Sequence, residues 1–266
     1  MRLLIHSGFH KTGTTSLQYG LQHNRKLLAP HIRIVLFNDI APVVNAARDF
    51  SADCSADKLR RFCMRLHKYL KTLDADDPRP VVISSEDLCG HMPGREGLTS
   101  YTAAPILMRA LTMTTLETLG PDTDLRVMLS LRAPESWLKS CYAQHLRVIR
   151  MTDPWEVYQQ AYTDSADLSA IADRVEAQIG DVPLIRAPLE DSKSQPLGPM
   201  SPLLEALDLP SDVLANLKPS AQANPKDPKE LQDLYLEANQ SDMSNKDVRD
   251  AKVAARRIWM ENCFPA

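Results

Sequence analysis

Leu4-Ile5-His6-Ser7-Gly8-Phe9-His10-Lys11-Thr12-Gly13-Thr14-Thr15-Ser16-Leu17 is the stretch on which the fold of this chain turns. It opens with an apolar run, passes through a turn bracketed by two glycines, and enters a helical pattern at Thr14. The chain has only 9 glycines in 266 residues, so two of them five apart in one turn carry weight. Glycines let the backbone bend so that successive amides converge, and the start of the following helix adds partial positive charge. The turn therefore reads as an anion cradle. Its donors are the amides of Thr12, Gly13, Thr14, Thr15 and Ser16 and the hydroxyls of the last three, and Lys11 is its cation.

Outward from this stretch, short apolar or β-branched runs alternate with longer helical ones. Residues 2–7, 33–37, 80–85, 125–131 and 182–187 read as strands. Continuous apolar runs suit strands covered on both faces, as in a parallel sheet between helix layers. Residues 14–28, 56–73, 106–119, 134–150 and 166–179 read as the crossover helices. In the second of these, Leu59, Phe62, Cys63, Leu66 and Leu70 recur at spacings of three and four and form one face. Such alternation predicts a three-layer α/β domain with a mainly parallel central sheet flanked by helices.

The last third differs. Nine of the 19 prolines fall between Pro183 and Pro228, among short helical scraps such as 202–207. Residues 229–239 and 245–263 are helical by pattern. In the latter, Val248, Ala251, Ala255, Ile258 and Trp259 share one face, and Arg249, Lys252 and Arg256 read as a solvated basic face opposite. We expect residues 1–266 to form one domain, with 183–266 a loop-rich, helical extension wrapped over the sheet edge. Trp155, Tyr158 and Tyr162 recur at helical spacing and read as core packing; His6 and His145 each read as a packed or surface histidine rather than a catalyst.

Lys and Arg total 31 against 34 Asp and Glu, a net charge of −3, which argues against general nucleic-acid binding. With 44% hydrophobic and 24% charged residues, the chain can bury a real core. No apolar run approaches the length of a membrane span, and the brief apolar start meets Gly8 and His10-Lys11, unlike a secretory signal. A cytoplasmic address is the expectation. Cys54, Cys63, Cys89, Cys141 and Cys263 are too scattered for a zinc site or disulfide framework and read as reduced, mostly buried thiols.

Gly8 and Gly13 have the glycine spacing of a P-loop, the phosphate-binding turn of many nucleotide hydrolases. That pattern, however, requires Lys directly after the second glycine and then a Ser or Thr on Mg²⁺. Here Thr14 takes the lysine position and Lys11 lies inside the turn. The run 125–131 leads into Arg132 and 81–85 into Glu86, so no strand ends in a metal-binding Asp. No metal is expected.

His10-Lys11-Thr12-Gly13-Thr14-Thr15 resembles the 5′-phosphosulfate loop of sulfotransferases that use 3′-phosphoadenosine 5′-phosphosulfate (PAPS). Their loop carries Lys, a small residue, Gly, Thr and Thr in this order, on a P-loop fold without a catalytic metal. The match runs on through Leu17 and Gln18 in the bacterial members reading Gly-x-His-Lys-Thr-Gly-Thr-Thr-Ser-Leu-Gln. A second motif of that family, a strand ending in Arg followed by a helix with Ser eight residues on, is similar to 127–140, with Arg132 and Ser140 in those places. A third similarity, Ser84-Ser85-Glu86-Asp87-Leu88, lies where several members carry a general base after a strand.

The resemblance implies sulfuryl transfer from PAPS to a hydroxyl or amine of an acceptor, with 3′-phosphoadenosine 5′-phosphate as product. It assigns Lys11 to the leaving oxygen, Thr12–Ser16 to the 5′-phosphate, Arg132 and Ser140 to the 3′-phosphate, and Glu86, or else His10, to proton transfer. Lys11, Glu86 and His10 are thus the expected catalytic group. The family's likeness covers about residues 1–150. The acceptor, with a carbohydrate or small metabolite among the candidates, and the oligomeric state are not encoded legibly. A nucleotide-dependent kinase and a non-catalytic nucleotide-binding protein stay open as alternatives.

Overall fold

The computed structural model describes residues 1–219 and 226–263. In chain order the elements are β1 (Arg2–His6), α1 (Thr14–His23), α2 (Arg25–Leu28), β2 (Arg33–Val35), α3 (Phe37–Asp53), α4 (Ala56–Leu70), β3 (Val81–Ser84), α5 (Ala104–Leu119) and β4 (Asp124–Leu131). There follow α6 (Pro134–Val148), α7 (Trp155–Tyr162), α8 (Leu168–Ile179), β5 (Leu184–Pro188), α9 (Leu189–Ser192), α10 (Ser201–Glu205), α11 (Ser211–Asn216), α12 (Lys229–Gln240) and α13 (Asn245–Cys263). They fall into two compact units, Met1–Ala133 with Asp167–Ala223, and Pro134–Ala166 with Asn224–Ala266.

The first unit is an α/β layer structure. Its five strands pair in parallel in the order β2-β3-β1-β4-β5. Leu3, Leu4 and Ile5 are essentially inaccessible, as expected of a central strand covered on both faces. On one face Leu4, Val82 and Met128 join Leu17 and Leu21 of α1 and Leu203 and Leu204 of α10 in a single apolar cluster. On the other, Ile5 and Ile83 meet Ile40 and Val43 of α3, Leu66 of α4 and Leu111 of α5 around a small cavity. The mainly parallel sheet between helix layers is as the sequence predicts.

Local differences have local causes. Residues 14–28 are not one helix: α1 ends at His23 because the Asn24 side chain bonds the backbone on both its atoms. Its Nδ2 donates to the carbonyls of Gly20 (2.9 Å) and Lys218 (2.8 Å), and its Oδ1 accepts from the Lys218 amide (2.9 Å). The strand at 33–37 stops at Val35, where the Asp39 carboxylate accepts from the Leu36 amide (2.9 Å) and opens α3. Helix α3 has no counterpart among the helices expected from the sequence. Pro42 inside it weighs against a helix, and the structure absorbs the proline with a kink at Ile40. Asp167 caps α8 through the Ala170 amide at 2.9 Å, a contact worth about 1 kcal/mol.

The second unit is helical. Here α12 packs on both α6 and α13, and α7 packs on α6. Tyr142, Trp155, Tyr158 and Tyr162 form its aromatic core, with the Tyr158 hydroxyl 2.9 Å from His145 Nδ1. Of the basic face expected on α13, only Arg249 is exposed to solvent. Lys252 is buried and donates to the carbonyls of Leu146 (2.8 Å) and Ile149 (2.9 Å) and to Asn239 Oδ1 (2.8 Å). It caps the end of α6, where a cation meets the negative end of the helix. Arg256 pairs with buried Asp227 (3.2 Å), while Ile258 of the apolar face is exposed.

The segment 183–266 is divided between the two units; residues 220–225 and 264–266 of it lie outside the described residues. Cys89 and Cys141 are buried and Cys63 half-buried, but Cys54 and Cys263 are exposed, so the thiols are not mostly buried. Among the described residues no helix is long and apolar enough to cross a membrane.

Candidate functional site

The site is built at the C-terminal ends of the three central strands, where parallel sheets expose their ligand-binding edge. Beyond β1 the chain stays in register: the Ser7 amide donates to the Met128 carbonyl at 3.0 Å, and the Ser85 amide donates to His6 at 3.0 Å. Beneath the turn, His6 is buried between Ser84 Oγ (2.8 Å) and Ser130 Oγ (2.7 Å), tying β3, β1 and β4 together. Burial lowers its pKa to about 4, so it is a neutral structural ring rather than a proton carrier.

Above His6 the chain makes its turn. Phe9 is fully buried against the Tyr101 ring (centroids 4.8 Å apart), and the Thr12 hydroxyl donates to the Phe9 carbonyl at 2.5 Å. The Thr12 side chain is therefore spent on the turn, which leaves its amide for a ligand. Lys11 sits at φ 68°, a left-handed conformation unusual for a lysine. Gly13 follows at φ 91° and caps α1 without any side-chain hydrogen bond. The first amides of a helix have no acceptor within it, so those of Thr14, Thr15 and Ser16 are left to an external anion.

Arg132, directly after β4, donates from Nη1 to the Lys11 carbonyl at 2.8 Å. The two residues that the sequence singles out as cations thus meet at one edge of the sheet, guanidinium to backbone. Leu189 and Glu190, directly after β5, wall the turn. Leu189 lies so close that a Cβ on Gly13 would come within 2.7 Å of its Cδ1, and both Glu190 carboxylate oxygens are 3.3 Å from the Ala133 amide.

His10 is held from three directions. Its amide donates to the Tyr101 hydroxyl (3.1 Å), its Nδ1 is 3.0 Å from that same hydroxyl, and its Nε2 is 3.1 Å from Asp87 Oδ1. Arg48 stands 3.8 Å from Asp87. Burial pushes the Asp87 carboxyl up, but the hydrogen bond and charge of His10, with Arg48 and His91, outweigh it and hold the pKa below the usual carboxylate range. Glu86 is half-buried on a turn after β3 and accepts from Gln18 Nε2 of α1 at 2.8 Å.

Lys11, Thr12, Gly13, Thr14, Thr15, Ser16, Arg132, His10 and Glu86 all belong to the first unit, and Ser140 lies half-buried on α6 of the second. Tyr101, Arg48 and the His10 bond of Asp87 carry no sequence signal, being linked to the turn only through space. Gln18 is part of the quoted motif, but its hold on Glu86 is a finding of the fold.

The donor set suits a polyanion. Lys11, Arg132 and a run of helix-start amides lie at one edge, and Gly8 keeps the turn close-packed: a Cβ there would lie 2.8 Å from Thr14 Cγ2 and 3.0 Å from His6 Nε2.

No family model matches the chain, and no curated protein matches it in sequence. Among solved structures it is similar to a sulfotransferase from Alicyclobacillus acidocaldarius, with a TM-score of 0.46 and 15% identity over 97% of this chain and 95% of that one.

Proposed function

We propose that this chain is a sulfotransferase that moves a sulfuryl group from PAPS to a hydroxyl or amine of an acceptor without a metal. The observation that carries the reading is the hydrogen bond from Arg132 to the Lys11 carbonyl. It joins two motifs 121 residues apart that a doubly phosphorylated adenosine needs side by side.

When bound, PAPS supplies the sulfuryl group and departs as 3′-phosphoadenosine 5′-phosphate. The amides of Thr12–Ser16 and the hydroxyls of Thr14, Thr15 and Ser16 hold the 5′-phosphate, and Lys11 offers its ammonium to the negative charge developing at the bridging oxygen. Arg132 holds the 3′-phosphate. Glu86, kept in place by Gln18, takes the proton of the acceptor hydroxyl or amine. His10 has a partner at each ring nitrogen, which favours a role in shaping the turn over one as the base. A cytoplasmic address belongs to the same reading.

Incubation with ³⁵S-labelled PAPS, EDTA and a panel of hydroxyl and amine acceptors tests it. Transfer to at least one acceptor is expected, lost in Glu86→Gln while 3′-phosphoadenosine 5′-phosphate still binds. Binding without transfer to any acceptor favours a non-catalytic nucleotide-binding protein, and phosphoryl transfer from ATP·Mg²⁺ favours a kinase.

A further inference from the structure

Beside the edge strand β2, two strands from β1, a cleft of about 450 Å³ opens. Arg25, Arg33, Asp39, Tyr69 and Arg79 line it, above an apolar floor of Ile32, Ile34 and Val35. Its size lies in the range of small-ligand sites. Arg33 opens β2 and Arg79 stands just before β3, while Val35 and Asp39 lie at and beyond the other end of β2, so the cleft runs along the outer edge of the sheet. The turn that bears Lys11 lies beyond the C-terminal end of β1, two strands away.

Two of the three arginines already have structural work. Arg79 chelates Asp77 (Nε to Oδ1 2.9 Å, Nη2 to Oδ2 2.6 Å) and donates to the Ala29 carbonyl (2.7 Å). Arg25 donates to Gln22 Oε1 (3.0 Å) and to the Ile34 carbonyl (2.9 Å), with Asp39 3.9 Å away. Among the described residues, the Arg33 side chain makes neither a hydrogen bond nor an ion pair. Three guanidinium groups thus face two carboxylates, Asp39 and Asp77, and Arg33 carries the positive charge in excess.

The backbone adds a directed donor. The Arg33 amide donates to the carbonyl of Pro80, just before β3 (2.9 Å), so in a parallel ladder the N–H and C=O of the next residue, Ile34, point away from the sheet. Arg25 takes that carbonyl, and the N–H points out from the same edge. A peptide strand added to this edge needs both groups, so the occupied carbonyl disfavours one. Tyr69 contributes a hydroxyl that stays protonated: burial pushes its pKa up to about 12, with Arg33 pulling it down and Asp39 pushing it up.

We propose that this cleft is a second ligand site, for a small molecule with one carboxylate on a short apolar or aromatic body. The carboxylate meets Arg33 and the Ile34 N–H, and the body lies on Ile32, Val35 and the Tyr69 ring. A phosphate dianion fits less well, because it leaves a net negative charge beside Asp39. The proposal does not depend on the sulfotransferase reading.

Isothermal titration calorimetry of the full chain with benzoate, benzamide and inorganic phosphate is the test. Benzoate is expected to bind once per chain in the millimolar range, and benzamide and phosphate roughly tenfold more weakly or not at all. Arg33→Met, shown by thermal unfolding to be folded, should lose about tenfold in benzoate affinity, and Lys11→Ala should lose none. If Arg33→Met does not fold, the comparison of benzoate with benzamide on the unaltered chain decides alone. Absent benzoate binding, equal binding of benzamide, retention in folded Arg33→Met, or loss in Lys11→Ala would each overturn the proposal.

Discussion

The Arg132 guanidinium donates to the backbone carbonyl of Lys11 at 2.8 Å. One residue ends a central strand, the other lies inside the turn beyond the neighbouring strand. Their bond brings the two motifs together. It gives Arg132 the task of holding the turn, beside the 3′-phosphate contact proposed for it.

Separating those tasks is a matter of comparing ligands. Arg132→Ala should weaken 3′-phosphoadenosine 5′-phosphate by roughly 10- to 100-fold, the scale of a lost charge-assisted contact. Adenosine 5′-phosphate should suffer less, through the loosened turn alone. Calorimetric titration of both nucleotides checks this, and an equal loss for the two would leave Arg132 without its 3′-phosphate role.

Lys11 combines a left-handed backbone, φ 68°, with the ammonium assigned to the leaving oxygen. Lys11→Ala and Lys11→Gly both remove the charge and should lower turnover on the order of 10²–10³-fold. They should differ in stability. Glycine takes a positive φ without steric cost, so Lys11→Gly should be more stable than Lys11→Ala by about 1 kcal/mol. Urea unfolding of the pair measures the difference.

At Gly13 the constraint is both conformational and steric. An alanine there must hold φ 91° with its Cβ 2.7 Å from Leu189 Cδ1. Gly13→Ala should cost about 1–3 kcal/mol and weaken nucleotide binding, because the amides after it change direction. Adding Leu189→Ala should return the steric part of the stability loss and leave the backbone part.

His6 makes the fold sensitive to mild acid. Burial lowers its pKa from 6.5 to about 4, so the unfolded chain binds a proton that the folded one refuses. The stabilisation is complete above pH 6.5 and is lost as the pH falls toward about 4, at about 1.4 kcal/mol per pH unit. Denaturant unfolding between pH 7 and pH 4 should show this slope, and His6→Gln should flatten it.

How far the sequence could be read depended on the range of the interactions. The β1-turn-α1 unit was legible because strand, glycines and helix succeed one another within fourteen residues. Arg132 was legible because it directly follows a strand with an apolar centre, Val127–Leu129. Glu86 was placed by its strand, but the Gln18 bond that holds it forms only when α1 packs on the sheet. Tyr101 and Asp87 reach His10 from 91 and 77 residues away, and no local pattern announces such pairs. Pro42 hid α3, since a proline weighs against a helix unless a kink absorbs it. Lys252 misled for a related reason: a long cationic side chain on a helix face reads as solvated until a neighbouring helix end supplies it with carbonyls.

The central claim is that the edge bearing Lys11 and Arg132 holds one adenosine nucleotide with phosphates at both its 3′ and 5′ positions. Thermal unfolding of the full chain with millimolar 3′-phosphoadenosine 5′-phosphate, beside the same concentration of ATP·Mg²⁺, tests it most directly. A micromolar ligand at that concentration stabilises by about 4 kcal/mol, so the melting temperature should rise by several degrees with the bisphosphate and much less with ATP·Mg²⁺. An unchanged melting temperature with the bisphosphate, or a larger rise with ATP·Mg²⁺, would contradict the account.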